Sequence, residues 1–133
     1  MQELYVGIFS LFNAGNTLKT ALAGRLSPHE AAQESDFPYG TYFKVYGGPE
    51  YNFSEEMETI GVQFSFYSES SSPIEANTLY QYCKDLFDDS NPTITGWTLL
   101  KFERVDDNLI RDEIQNTWAY HVDYVVWLEK LRS

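Results

Sequence analysis

Residues 117–130, TWAYHVDYVVWLEK, alternate over their whole length, and no other stretch constrains the fold as much. Trp118, Tyr120, Val122, Tyr124, Val126 and Leu128 fall on one face, and Ala119, His121, Asp123, Val125, Trp127 and Glu129 on the other. A strand this long, with apolar residues on both faces, belongs in the middle of a sheet. The rest of the chain has to supply its neighbours and cover one of its faces.

Three further segments carry strand signals. GTYFKVYG alternates, with Thr41, Phe43 and Val45 facing one way and Tyr42, Lys44 and Tyr46 the other. TIGVQFSFYS places Ile60, Val62, Phe64 and Phe66 on one face, and Gly61, Gln63, Ser65 and Tyr67 on the other. These two form a hairpin whose long tip spans Pro49 to Glu58. GWTLLKFERV supplies the third, followed by an acidic segment, DDNLIRDEIQN, that reads as a mobile linker with Leu109 and Ile110 exposed in it.

Helical spacing appears twice. Leu4, Ile8, Leu11 and Phe12, then Leu18 and Leu22, describe one helix and a short second one ending near Gly24, interrupted between Asn13 and Asn16. SSSPIEANTLYQYCKDLFDDS is the clearer case. Ser72 suits the N-cap, Pro73 the first helical position and Glu75 a capping box. Its stripe of Ala76, Leu79, Tyr80, Cys83, Leu86 and Phe87 faces a core.

The expected fold is a single α+β domain over residues 1–133, in the order α-α-β-β-α-β-β. A four-stranded, mainly antiparallel sheet carries its helices on one face. If the last strand lies between the second and third, every pairing is antiparallel and the longest strand is central.

The net charge of −11 and pI of about 4.4 exclude a sequence-reading nucleic-acid module, which needs basic patches to displace counterions. One cysteine, Cys83, allows neither an internal disulfide framework nor a thiolate zinc site within one chain, and it sits on the helix stripe as a small buried hydrophobe. MQELYVGIFSLFN lacks a basic n-region, and no apolar run approaches the roughly 20 residues of a membrane span. The expectation is a soluble, cytoplasmically assembled protein with no membrane partner.

No nucleophile motif or phosphate loop is present, and no catalytic residue, metal ligand or cofactor is assigned. His121 and Asp123 share a strand face, and His29 stands beside Glu30, but neither pair has a further group to work with. What stands out is aromatic and apolar material in the connections. Phe37, Tyr39, Tyr51, Phe53, Leu109 and Ile110, with His29, Glu55, Glu56 and Arg111 beside them, form a candidate protein interface. The same rings would also serve to fold back and cap the ends of the sheet.

The succession LAGRLSP, FPYGTYFKVYG, VQFSFYS, ANTLYQYCKDLFD and YHVDYVVWLEK resembles the tail-completion, or tail-terminator, proteins of long-tailed bacteriophages and prophages. The likeness runs from about Leu4 to Glu129 and is carried by the Gly24-Arg25 step, Pro28, Pro38-Tyr39 and the terminal strand; Pro49–Glu58 and Asp106–Asn116 match nothing in it. It implies a non-enzymatic virion protein that assembles with copies of itself, usually as a hexameric ring. Such a ring caps the head-proximal end of the tail tube and joins it to the head-completion or connector protein. DNA passes through the lumen without sequence-specific contact. On that reading the segments 27–38, 49–58 and 106–116 order only on assembly. A cytoplasmic adaptor with a peptide groove, or a metal-dependent hydrolase, are the competing classes.

Overall fold

The computed structural model describes residues 2–28, 36–51, 56–88 and 90–131. Its elements are α1 (Gln2–Asn13), α2 (Thr17–Leu22), β1 (Leu26–Pro28), β2 (Tyr39–Tyr51), β3 (Glu56–Ser68), α3 (Ile74–Phe87), β4 (Trp97–Asp112) and β5 (Thr117–Lys130). The strands form one sheet in the order β1-β2-β3-β5-β4. The last strand does lie between the second and third of the long strands, and all three long pairings are antiparallel. The expected four strands become five, because the short segment after Gly24 adds β1 parallel to β2, with Leu26 opposite Gly40.

The core lies between the helices and one face of the sheet. Ile60, Val62, Phe64 and Phe66 of β3 and Tyr120, Val122, Tyr124, Val126 and Leu128 of β5 are buried there. Leu4, Ile8 and Phe12 of α1, Leu18 and Leu22 of α2, and Ala76, Leu79, Cys83 and Phe87 of α3 meet them. Phe64 is the centre of this packing: its ring is 4.5 Å from that of Phe87 and meets Tyr124 edge-on at 5.6 Å. Such pairs add to the area term that dominates core stability.

Local chemistry sets the helix ends. Asn16 accepts the Lys19 N–H at 2.8 Å, capping α2, and donates 2.7 Å to the Phe12 carbonyl, closing α1. At α3, Ser72 Oγ accepts the Ile74 N–H at 3.2 Å, but Glu75 takes the Ser68 hydroxyl at 2.5 Å instead of turning back to close the expected capping box. Tyr5 pins α1 to the sheet: its hydroxyl accepts the Lys44 N–H at 2.8 Å and its carbonyl accepts Tyr42 Oη at 3.2 Å.

Two expectations about strands fail. Residues 106–112 are not a mobile linker; they continue β4 against β5, and the turn is confined to residues 113–116. Likewise the β2–β3 ladder runs to Tyr51 opposite Glu56, so most of the expected tip is paired strand; residues 52–55, and residues 29–35 of the first connection, lie outside the described ones. Register shifts fall between Lys44 and Tyr46, between Leu99 and Lys101, and between Arg104 and Asp106. The extra residues Val45, Leu100 and Val105 are all exposed. The first of these bulges carries Tyr46 to the face opposite Tyr42, where its ring lies over Gly61, against the strict alternation read from the sequence.

Candidate functional site

The helices cover one face of the sheet, and among the described residues no helix covers the other. Cross-strand register builds rows on that open face. One row runs Tyr39, Tyr67, Ala119, Ile110 from β2 to β4; the next runs Thr41, Ser65, His121, Asn108. Where the first row meets the β4–β5 turn, a cleft of about 210 Å³ opens, with Phe37, Tyr39, Tyr67 and His121 along one side and Ile110, Asp112 and Gln115 on the other. Ala119 and Thr117 are buried beneath it.

The rings form a continuous arc. Phe37 and Tyr39 have centroids 5.1 Å apart, Tyr39 stacks on Tyr67 at 4.9 Å with 28° between planes, and Tyr67 meets His121 edge-on at 6.2 Å. Burial, with Tyr67 alongside, pushes the Tyr39 phenol above its ordinary value, so it stays a neutral donor. Arg25 sets the start of the arc. Its Nε donates 3.1 Å to the Pro38 carbonyl and its Nη2 3.2 Å to the Phe37 carbonyl, while the Arg25 carbonyl accepts the Gly40 N–H at 2.8 Å. The turn supplies the carboxylate: Asp112 Oδ1 accepts the N–H groups of Ile114 and Gln115 at 3.0 and 3.1 Å.

The second row, and the next one through Gln63 and Asp123, carry polar groups that pair across the strands. Ser65 Oγ and His121 Nδ1 are 2.7 Å apart, and Gln63 Nε2 donates 3.0 Å to Asp123 Oδ1. Burial lowers the His121 pKa below 6.5 despite the opposing pull of Asp123, which keeps the imidazole neutral at pH 7. His121 and Asp123 do share a face, as their spacing requires, but Asp123 is turned to Gln63. Among the described residues no group of three or more His, Cys, Asp or Glu is placed to hold a metal ion. Ser65 is almost fully buried, with 1% exposure, and its pairing with His121 is a cross-strand contact of the sheet.

The structure divides the candidate interface residues. Phe37, Tyr39 and Ile110 come together in the cleft. Leu109 turns to the helix-covered face and packs against the core, opposite Tyr120, which corrects its reading as an exposed linker residue. Arg111 lies over the Trp118 ring at 5.2 Å and donates to Asn116. Tyr51 and Glu56 are register partners at the end of the β2–β3 ladder, and His29, Phe53 and Glu55 lie outside the described residues. Tyr67, His121, Asp112 and Arg25 complete the site and were not singled out from sequence as interface residues. Tyr67 and His121 were signalled only by their outward positions on their strands, while Arg25 and Asp112 carried no such signal, and register shows that the strand positions converge.

These features define the chain as an α+β domain with a five-stranded sheet, helices on one face and an aromatic cleft on the other. No family model matches the sequence, and no curated protein matches it. Among solved structures, a chain described as "Virion of native gene transfer agent (GTA) particle" shares the fold, with a TM-score of 0.83 over 92% of this chain and 91% of that one. The two are 8% identical, so the likeness is one of fold.

Proposed function

We propose that this chain is a structural virion assembly protein without enzymatic activity. In this reading it forms a ring, a hexamer by the resemblance to tail-completion proteins, that caps the head-proximal end of a tail tube and joins it to the head connector. The observation that carries the proposal is the near full-length correspondence with a chain of a gene transfer agent virion, which reaches the same class of particle as the sequence resemblance by an independent route. The acidic surface fits a lumen that DNA passes without adhering, since like charge lowers the local concentration of phosphate backbone. The outermost strand, β4, and the open sheet face supply surface for contacts with neighbouring copies.

Negative-stain imaging of the purified protein mixed with tail tubes tests this reading. Tubes closed at one end by a ring of added density are expected. Bare tube ends at saturating protein would sink it. The cleft gives the adaptor reading its one specific support, and that reading predicts the same bare tubes together with binding of a peptide.

A further inference from the structure

We propose that the cleft on the open sheet face receives a single arginine side chain from a partner protein. This inference stands apart from the tail-capping role and holds for any protein partner. Its volume, about 210 Å³, is below the roughly 300–1,000 Å³ of small-molecule pockets and suits one inserted side chain. The side formed by Phe37, Tyr39 and Tyr67 is aromatic, and the ring faces that these residues do not turn to one another attract cations through their quadrupole. The opposite side carries Asp112, whose Oδ1 is held by two backbone N–H groups while Oδ2 takes no hydrogen bond from a described residue.

The charge balance is one-sided. None of the described residues lining the cleft is Lys or Arg, and His121 is kept neutral by burial. A cation entering therefore meets a carboxylate and the rings, while the nearby Arg25 guanidinium is engaged by the Phe37 and Pro38 carbonyls and Arg111 by Trp118 and Asn116, in a chain whose net charge is −11. Arginine fits this better than lysine. Its guanidinium is planar, packs flat against the outer face of the Tyr39–Tyr67 stack, and still directs N–H groups sideways to Asp112. A lysine ammonium, more strongly hydrated, gains less from the rings and offers no flat face.

The cleft is also prebuilt. Arg25 holds Phe37 and Pro38, the turn bonds hold Asp112, and the buried Ala119 and Thr117 fix the floor. Little conformational freedom remains to be lost on binding, which favours a shallow site.

The test is a heteronuclear NMR titration of the full chain with Nα-acetyl-arginine methylamide, against its neutral citrulline counterpart and against Asp112→Asn. That substitution retains an Oδ1 acceptor for the Ile114 and Gln115 N–H groups, so the turn persists. Saturating shifts confined to Tyr39, Tyr67, Ile110, Thr117 and Ala119 are expected, weakened roughly tenfold by either change as a charge-assisted bond is lost. Shifts spread over the acidic surface, equal response to citrulline, indifference to Asp112→Asn, or no local shift at up to about 50 mM ligand, where even affinities of a few kcal/mol register, would overturn the proposal.

Discussion

Tyr80 of α3 and Tyr120 of β5 lie face to face, with centroids 4.2 Å apart and planes within 5°, and each donates its hydroxyl to a different oxygen of Asp107, at 2.9 and 3.0 Å. Arg104 extends this cluster. Its Nη1 donates 3.0 Å to Tyr80 Oη and its Nε 3.2 Å to Asp88, which also accepts Tyr124 Oη at 2.6 Å. Helix α3 is thereby tied to both strands of the β4–β5 pair through polar contacts at the rim of the core. Arg104→Met removes the cation that bridges Asp88 and Asp107 and leaves these two partly buried carboxylates without it. The three side chains are each about a third exposed (29%, 30% and 33%), which screens the effect, so a loss of about 1–2 kcal/mol is expected in urea unfolding. Arg104→Lys recovers less than half of it, because one ammonium does not reproduce separate Nε and Nη1 contacts.

That cluster also shows what the sequence concealed. The alternation of β5 and the helical stripe of α3 were legible because burial on one face imposes a period that few substitutions blur. β4 was legible only to Val105. Beyond it the bulges at Leu100 and Val105 change which parity faces the core, and Asp106 and Asp107 read as solvated linker. Asp107 in fact faces inward, where two tyrosine hydroxyls satisfy it. β1 was hidden for a different reason: three residues ending in Pro28 are too short to show any period. The cleft was half legible. Phe37, Tyr39 and Ile110 stood out by composition, whereas Tyr67, His121 and Asp112 enter through cross-strand register, which no local pattern encodes.

The alkaline limit of stability follows from the same rim. Burial and the Asp107 hydrogen bond raise the Tyr80 pKa from 10.0 to about 12, and Tyr120 and Tyr124 shift the same way. A phenol with a raised folded pKa stabilises the fold fully below its unfolded value and loses that contribution as pH climbs through the folded one. Stability is expected to hold to about pH 10 and to fall steeply between about pH 10 and 12. Tyrosinate absorbance should rise in step with loss of far-UV signal. Titration of all tyrosines near pH 10 with the fold intact would contradict this.

His121 sets the acid side in the opposite sense. Its folded pKa is lowered, chiefly by burial, so folding favours the neutral imidazole. Its contribution is present above the unfolded value of about 6.5 and is lost as pH falls below it, until the folded pKa is passed. The imidazole resonances should titrate with a midpoint below 6.5, and the drop in urea midpoint between pH 7.5 and 5 should shrink in His121→Ala. A midpoint above 6.5 would reverse the sign and refute the argument.

Two glycines separate a movable obstacle from a fixed one. A Cβ at Gly61 would come within 2.1 Å of the Tyr46 ring, but that ring is half exposed and free to swing outward. Gly61→Ala should therefore cost about 1 kcal/mol or less, and the cost should vanish in combination with Tyr46→Ala. At Gly47 the backbone has φ +145° and a Cβ would sit 2.8 Å from the Thr59 carbonyl oxygen and 2.9 Å from Ile60 Cα. Backbone has no rotamer to escape into, so Gly47→Ala should cost about 2–3 kcal/mol, with no rescue by a second side-chain truncation.

Cys83 offers the sharpest check on how tightly α3 is packed against the sheet. It is fully buried, and burial drives its thiol well above the ordinary range, with Asp88 adding to the rise. Since the thiolate is the reactive species, neither access nor ionisation favours modification of the native protein. Alkylation at pH 8 should then proceed only through opening of the fold, with a rate that rises with urea in proportion to the unfolded population. Cys83→Ala should cost about 1–2 kcal/mol for the lost sulfur contacts. Labelling faster than global opening would show that α3 separates from β5 on its own, and the packing around Phe64 and Phe87 would then be the place to look for the hinge.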